Sequence, residues 1–161
     1  MEIVKSDVFL SLCGKFSEPD VARQIKLCPG WQRVSDHGFL DRTGVHQVME
    51  RAIAGLVTLH PLTNYLDAQP VKMFEYMAAG IPVIASDFPR WREIIDTCGC
   101  GICVDPLQPD KIAQAIDFLV QNPEVAEQMG ENGRLATSKY FNWQREEEKL
   151  IELYRTTLDR R

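Results

Sequence analysis

Short apolar runs alternate with apolar stripes of helical period along the whole chain. Val8-Phe9-Leu10-Ser11-Leu12-Cys13 predicts a first buried strand, closed by Gly14-Lys15. Residues 17–27 predict a helix with Ser17 as N-cap and Val21, Ile25 and Leu27 facing inward. Pro29-Gly30 breaks the chain, and residues 32–40 hold a second strand interrupted by polar Ser35-Asp36-His37 before Gly38-Phe39-Leu40. Thr43 caps a helix whose Val45, Val48, Met49, Ala52 and Ile53 follow a 3.6 period. Gly55 closes it, and 56–60 is a third strand. The loop 61–69 that follows is longer than a usual strand-to-helix connection.

The stretch 67–86, DAQPVKMFEYMAAGIPVIAS, reads as loop, helix, turn and strand. Pro70 suits a first helical position, and Val71, Met73, Phe74 and Met77 form an apolar stripe. Gly80 ends the helix, and the β-branched run 81–85 predicts a buried parallel strand. Beyond it come a short helix over 87–95, a strand at 101–104 and a helix from Asp110 with Ile112, Ala115, Ile116, Leu119 and Val120 on one face. A helix over 124–139 directs Val125, Met129 and Leu135 inward. A last one, 143–159, carries Leu150, Ile151, Leu153, Tyr154 and Leu158, with Glu146, Glu147 and Glu148 outward.

This alternation predicts an α/β domain: a Rossmann-like parallel sheet with helices on both faces, one domain over 1–161. In such sheets ligands bind beyond the carboxyl ends of the strands, where the strand order reverses. Gly14-Lys15, Gly38-Phe39, the loop 61–69 and the start of the central helix all fall on that edge. Lys15, Lys72 and Glu75 therefore converge by topology. Two cations, a helix N-terminus and a carboxylate suit a phosphorylated, hydroxyl-bearing ligand. The plain alternative is that Lys72 and Glu75, three apart, form a solvated helix face.

Composition narrows this. A net charge of −5 lacks the basic field of a nucleic-acid surface, and no apolar run approaches a membrane span. Met1-Glu2-Ile3-Val4-Lys5 shows no leader pattern, which predicts a cytoplasmic domain. Of five Cys, Cys98, Cys100 and Cys103 form a C-x-C-x-x-C run without a nearby fourth ligand. They predict small-residue packing rather than a metal site.

The block 70–86, from Pro70-x-Lys72-x-Phe74-Glu75-Tyr76-Met77 to Ile84-Ala85-Ser86, resembles the C-terminal domain of GT-B-fold retaining glycosyltransferases. These are the glycosyl transferase group 1 family. Gly14-Lys15 is similar to that family's Gly-Arg/Lys, and Trp143 with its following helix to the usual closing segment. The resemblance implies the donor-binding half of an enzyme moving sugar from a nucleotide-sugar to an acceptor, with retention and without metal or other cofactor. It implies catalytic roles for Lys15, Asp67 and Glu75, and donor contacts from Gly14, Lys15, Phe39, Asp67, Val71, Lys72 and Glu75. Glu75 would hold the ribose hydroxyls and Lys15 the diphosphate. Asp67 stands where the family has the first glutamate of its pair, and Gln69-Pro70 replaces the usual Phe-Gly. Lys72 is the substitute for a second basic residue that has no match. The partners implied are the nucleotide-sugar and an N-terminal half of the same parent protein, through which the enzyme would meet a membrane peripherally. The fragment alone would be inactive. The alternatives are a nucleotide-sugar epimerase of the same fold and a non-catalytic nucleotide-binding module. His37, His46 and His60 are scattered without pairing, and no G-x-G-x-x-G follows the first strand.

Overall fold

A computed structural model describes residues 1–158. Strands β1 (Leu10–Cys13) and β2 (Val34–Gly38) flank helix α1 (Pro19–Lys26) and a 3₁₀ turn at Pro29–Arg33. Helix α2 (Arg42–Met49) leads into β3 (Gly55–Val57). A helical turn α3 (Thr63–Leu66) and helix α4 (Val71–Ala78) precede β4 (Val83–Ser86). Then follow α5 (Pro89–Cys98), β5 (Gly101–Val104), α6 (Pro109–Gln121), α7 (Pro123–Tyr140) and α8 (Trp143–Leu158). The α/β class holds, with every strand pair parallel.

The strands form two sheets, β1-β2 and β3-β4-β5, with no strand ladder joining β1 to β3. Gly55, Leu56 and Val57 lie opposite Val83, Ile84 and Ala85. Val83, Ile84, Ala85 and Ser86 lie opposite Gly101, Ile102, Cys103 and Val104.

β4 is the centre of the core, and all four of its residues are buried. Because side chains alternate along a strand, Val83 and Ala85 enter one cluster and Ile84 the other. The first cluster holds Met73 and Met77 of α4, Trp91 and Ile95 of α5, and Cys100. The second holds Val104 with Ala115, Leu119 and Ala126 from α6 and α7. Burying one such large side chain contributes about 1.5–3 kcal/mol.

Helix α7 packs closely on α4, and small residues make this possible. The Cβ of an alanine at Gly130 would overlap the Gly80 carbonyl, and at Gly133 it would crowd Met77. The inward face of α7 is therefore Ala126, Gly130, Gly133, Ala136 and Thr137. Val125 and Leu135, expected inward, are exposed, while Met129 does pack against the second cluster.

The two-stranded side differs from expectation more. α1 buries no residue, and Val21, Ile25 and Leu27 are exposed. A two-stranded sheet is too narrow a surface to cover that stripe. Glu18, not Ser17, precedes the helix, without a side-chain cap. Asp41, not Thr43, caps α2, its Oδ1 accepting the Gly44 N–H at 2.8 Å. α2 stops at Met49, leaving Ala52 and Ile53 exposed. The apolar residues of α8 are exposed as well, and Asp159 lies outside the described residues.

Residues 1–8 fasten the two sides together. The Arg33 guanidinium donates to the carbonyls of Met1, Val4, Ser6 and Val8. On α6, buried Asp117 accepts the N–H groups of Lys5 and Ser6 at 2.8–3.1 Å. Burial raises the Asp117 pKa, but these hydrogen bonds outweigh it, and the carboxyl sits below its ordinary value.

Candidate functional site

The carboxyl ends of the strands carry most of the residues singled out in the sequence. Gly14 follows β1 and Gly38 ends β2, and the Gly14 N–H bonds the Gly38 carbonyl at 2.7 Å. Both glycines have positive φ, 147° and 63°, a region other residues rarely adopt. This turn presents Lys15 and Phe39 side by side, with Lys15 Nζ 5.4 Å from the centre of the Phe39 ring. Phe39 is 73% exposed, an aromatic face held at the sheet edge with little covering it.

The second part of the edge is the start of α4. Pro70 is the N-cap residue rather than the first helical position, and it has no side chain to cap with. The N–H groups of the first turn therefore point to the edge with no side-chain partner. Val71, expected in the apolar stripe, is 70% exposed there; Met73 and Met77 carry the buried face instead. Lys72 and Glu75 are exposed one turn in. They do not pair with each other, and among the described residues neither they nor Lys15 enters an ion pair. Their charges are therefore open to a ligand.

Tyr76 links the two parts. Its ring lies against Gly55, leaving no room there for a Cβ. Its hydroxyl pKa is raised by burial and by the neighbouring Cys13 and Glu75. Cys13 is the residue before Gly14-Lys15, so the end of β1 and the Glu75 turn of α4 share a neighbourhood.

Asp67 caps the C-terminus of α3, exposed, with its carbonyl accepting Arg90 Nη1 at 2.9 Å. Next to it, the Ala68 carbonyl accepts the indole N–H of buried Trp91 at 2.6 Å. The Ser86 hydroxyl, at the end of β4, bonds both the N–H and the carbonyl of Leu59 at 2.8 Å. Arg90, Trp91 and Ser86 thus hold the loop that delivers α4. Sequence reasoning missed all three, because their partners are backbone groups. The one available signal is Trp91, whose indole N–H must find an acceptor once buried.

The remaining candidates lie elsewhere. His37 stands 3.4 Å from Ser11 Oγ on the β1-β2 sheet, while His46 is on α2 and His60 after β3. Burial pushes the Cys100 thiol up to about 12 and Cys103 up to about 11, so both are protonated near neutrality. A concavity lined by Ile94, Cys98, Leu135, Ala136, Tyr140 and Phe141 runs between α5 and α7. On its α5 side it sits beside the entry to β5, away from the ligand edge. No described helix is long and apolar enough to cross a membrane.

Comparison with known proteins gives this edge a context. The model for glycosyl transferases group 1 matches residues 2–136. Alpha-maltose-1-phosphate synthase of Mycobacterium tuberculosis is 27% identical, over 94% of this chain and 41% of its own length. Sucrose-phosphate synthase from Thermosynechococcus elongatus superposes with a TM-score of 0.79 at 24% identity, over 94% of this chain and 39% of its own. Anabaena HepE, in complex with UDP-glucose, superposes with a TM-score of 0.77 at 20% identity, over 92% and 41%. The chain thus spans about two fifths of the length of these relatives.

Proposed function

The chain belongs to the glycosyl transferases group 1 family, and from that premise we propose that it is the donor-binding half of an enzyme that moves a sugar from a nucleotide-sugar to an acceptor. The observation that supports the reading is exposed charge without an ion-pair partner at the carboxyl ends of the strands: Lys15 after β1, and Lys72 and Glu75 in α4, whose start has no side-chain cap. A nucleoside diphosphate matches that set. Lys15, Lys72 and the first N–H groups of α4 meet the diphosphate, and Glu75 accepts hydrogen bonds from the ribose hydroxyls. The exposed Phe39 ring beside Lys15 offers a face for the base. That HepE was solved with UDP and with UDP-glucose supports a nucleotide-sugar as the ligand class.

In chemical terms, bond cleavage at the sugar leaves charge on the diphosphate. Fixed cations and helix N–H groups stabilise that charge as it grows, and this lowers the barrier. The reading takes transfer as retaining and metal-independent, with Lys15 and Lys72 supplying the positive charge. Asp67 lies beside the donor as the shorter counterpart of the first glutamate of the pair. The acceptor and further catalytic groups belong to an N-terminal half, so the 161-residue chain binds donor without turnover.

A thermal-shift screen tests this. UDP, GDP and their sugars should raise the melting temperature, while NAD and AMP leave it unchanged. No shift with any nucleoside diphosphate up to millimolar concentration refutes the assignment.

A further inference from the structure

The loop between β3 and α4 is tethered at both ends by one short stretch, residues 86–91, where β4 ends and α5 begins. At the start of the loop, the Leu59 N–H donates to Ser86 Oγ and the Ser86 hydroxyl donates to the Leu59 carbonyl, both at 2.8 Å. At its end, Arg90 Nη1 donates to the Asp67 carbonyl at 2.9 Å and Trp91 Nε1 to the Ala68 carbonyl at 2.6 Å. The tethering stretch is itself well fixed. Ser86 and Trp91 are fully buried, Phe88 is nearly so, and the Phe88 and Trp91 rings lie 4.7 Å apart.

These bonds fix the backbone at Asp67 more tightly than elsewhere in the loop. The Asp67–Ala68 peptide group is held at both ends, its carbonyl by Arg90 and its N–H by the Tyr65 carbonyl at 3.3 Å. The next peptide group is held through its carbonyl by Trp91. A residue has only two soft backbone torsions, so pinning successive peptide planes also pins the direction in which Asp67 leaves the chain. The Asp67 side chain is exposed, just before the uncapped start of α4, and enters no ion pair among the described residues. α4 needs none of these bonds for its own place. Met73 and Met77 anchor it in the core, so Lys72 and Glu75 stay put whether or not the loop is tethered.

We propose that Arg90 and Trp91 are positioning residues for the donor sugar: they aim the Asp67 carboxylate at the sugar hydroxyls and take no part in holding the nucleotide. This rests on the reading of the chain as a nucleotide-sugar-binding half. A carboxylate on a one-carbon stem has little reach, and a hydrogen bond weakens steeply with distance and angle. Its use therefore depends on where the backbone puts it, and α5 sets the backbone here. The nucleotide is met by side chains on other elements, Lys15 after β1 and Glu75 in α4.

Calorimetry on the chain with UDP and with UDP-glucose tests this. Trp91→Phe keeps a buried ring but removes the N–H, and Arg90→Ala changes an exposed side chain and leaves the core whole. Each should weaken UDP-glucose about tenfold more than it weakens UDP, the scale of one hydrogen bond to a charged group. Arg90→Lys, which still donates to the Asp67 carbonyl, should keep most of the wild-type affinity for both. Asp67→Asn should show the same selective loss. Arg90→Ala added to it should bring no further loss, because the carboxylate it positions is already gone. Equal weakening of the two ligands by Arg90→Ala, or no weakening of either, overturns the proposal. So does an additive loss in the double variant. If Trp91→Phe does not fold, the outcome for Arg90→Ala decides. A wild type that binds no UDP would overturn the donor-binding reading and this proposal with it, whereas UDP binding with an unselective loss overturns the positioning role alone.

Discussion

The three-stranded and two-stranded sides of this molecule are built from similar sequence and reach different ends. β4 buries all four residues between two apolar clusters, while β1, with Leu10, Leu12 and Cys13, buries none completely. Helices follow suit: α5 buries Trp91 and Ile95, and α1 buries nothing. The difference teaches that burial here is set by how many strands stand beside each other. A strand with neighbours on both sides gives its helices a floor to pack on; a strand with one neighbour does not. Stability lies on the β3-β4-β5 side, whereas the proposed donor site draws on both, with Lys15 and Phe39 from one and Lys72 and Glu75 from the other.

The largest effect that could break this comparison comes from the core. Trp91→Ala or Met77→Ala should cost about 3–5 kcal/mol in urea unfolding, the range for large side chains removed from a packed site. Leu12→Ala on β1, half-buried, should cost less than about 1.5 kcal/mol. Equal costs would mean that both sides bear the fold alike.

Gly130→Ala comes next. Its Cβ would meet the Gly80 carbonyl, so α7 must move off the turn before β4, at a cost of about 1–3 kcal/mol. A neutral result would show that α7 does not need this close approach.

Asp117→Asn sharpens the comparison, because Asp117 joins α6 to the segment that Arg33 holds. Losing a charged acceptor of backbone N–H groups should cost about 1.5–3 kcal/mol at pH 7. The folded-state pKa of Asp117 lies below its unfolded value, so its contribution is present above the unfolded pKa. It fades as pH falls through the folded value. Wild type and variant should therefore converge in stability as the pH falls through that folded value. A constant difference from pH 7 to pH 2 would assign the effect to packing instead.

Much of this was legible in the sequence, and the failures have physical causes. The 70–86 block gave helix, turn and buried strand in place, because Met73, Met77 and the β-branched run carry strong periodic signals. The α7 face was misread because periodicity marks large apolar residues, and a close helix contact is made by Gly130, Gly133 and Ala136. The division into two sheets could not be read from local pattern, since β1 has the composition of an interior strand. Of the candidate site residues, the sequence shows Lys15, Lys72 and Glu75 as charges after β1 and within α4, and the structure leaves them exposed. Arg90, Trp91 and Ser86 were not legible, because each acts on a backbone carbonyl or amide that no side-chain pattern records.

The central claim is that Glu75 reads the ribose and Lys15 the diphosphate of a nucleotide donor. Calorimetry on wild type, Glu75→Gln and Lys15→Ala, with UDP, 2′-deoxy-UDP and uridine, tests it most directly. Hydrogen bonds to a charged group contribute roughly 1.5–3 kcal/mol, so Glu75→Gln should weaken UDP by about ten- to a hundredfold. The loss should shrink for the deoxy analogue. Lys15→Ala should weaken UDP far more than uridine, and its effect should fall as salt rises. Should Glu75→Gln bind UDP and 2′-deoxy-UDP as wild type does, Glu75 is a solvated helix residue and the ribose assignment is wrong.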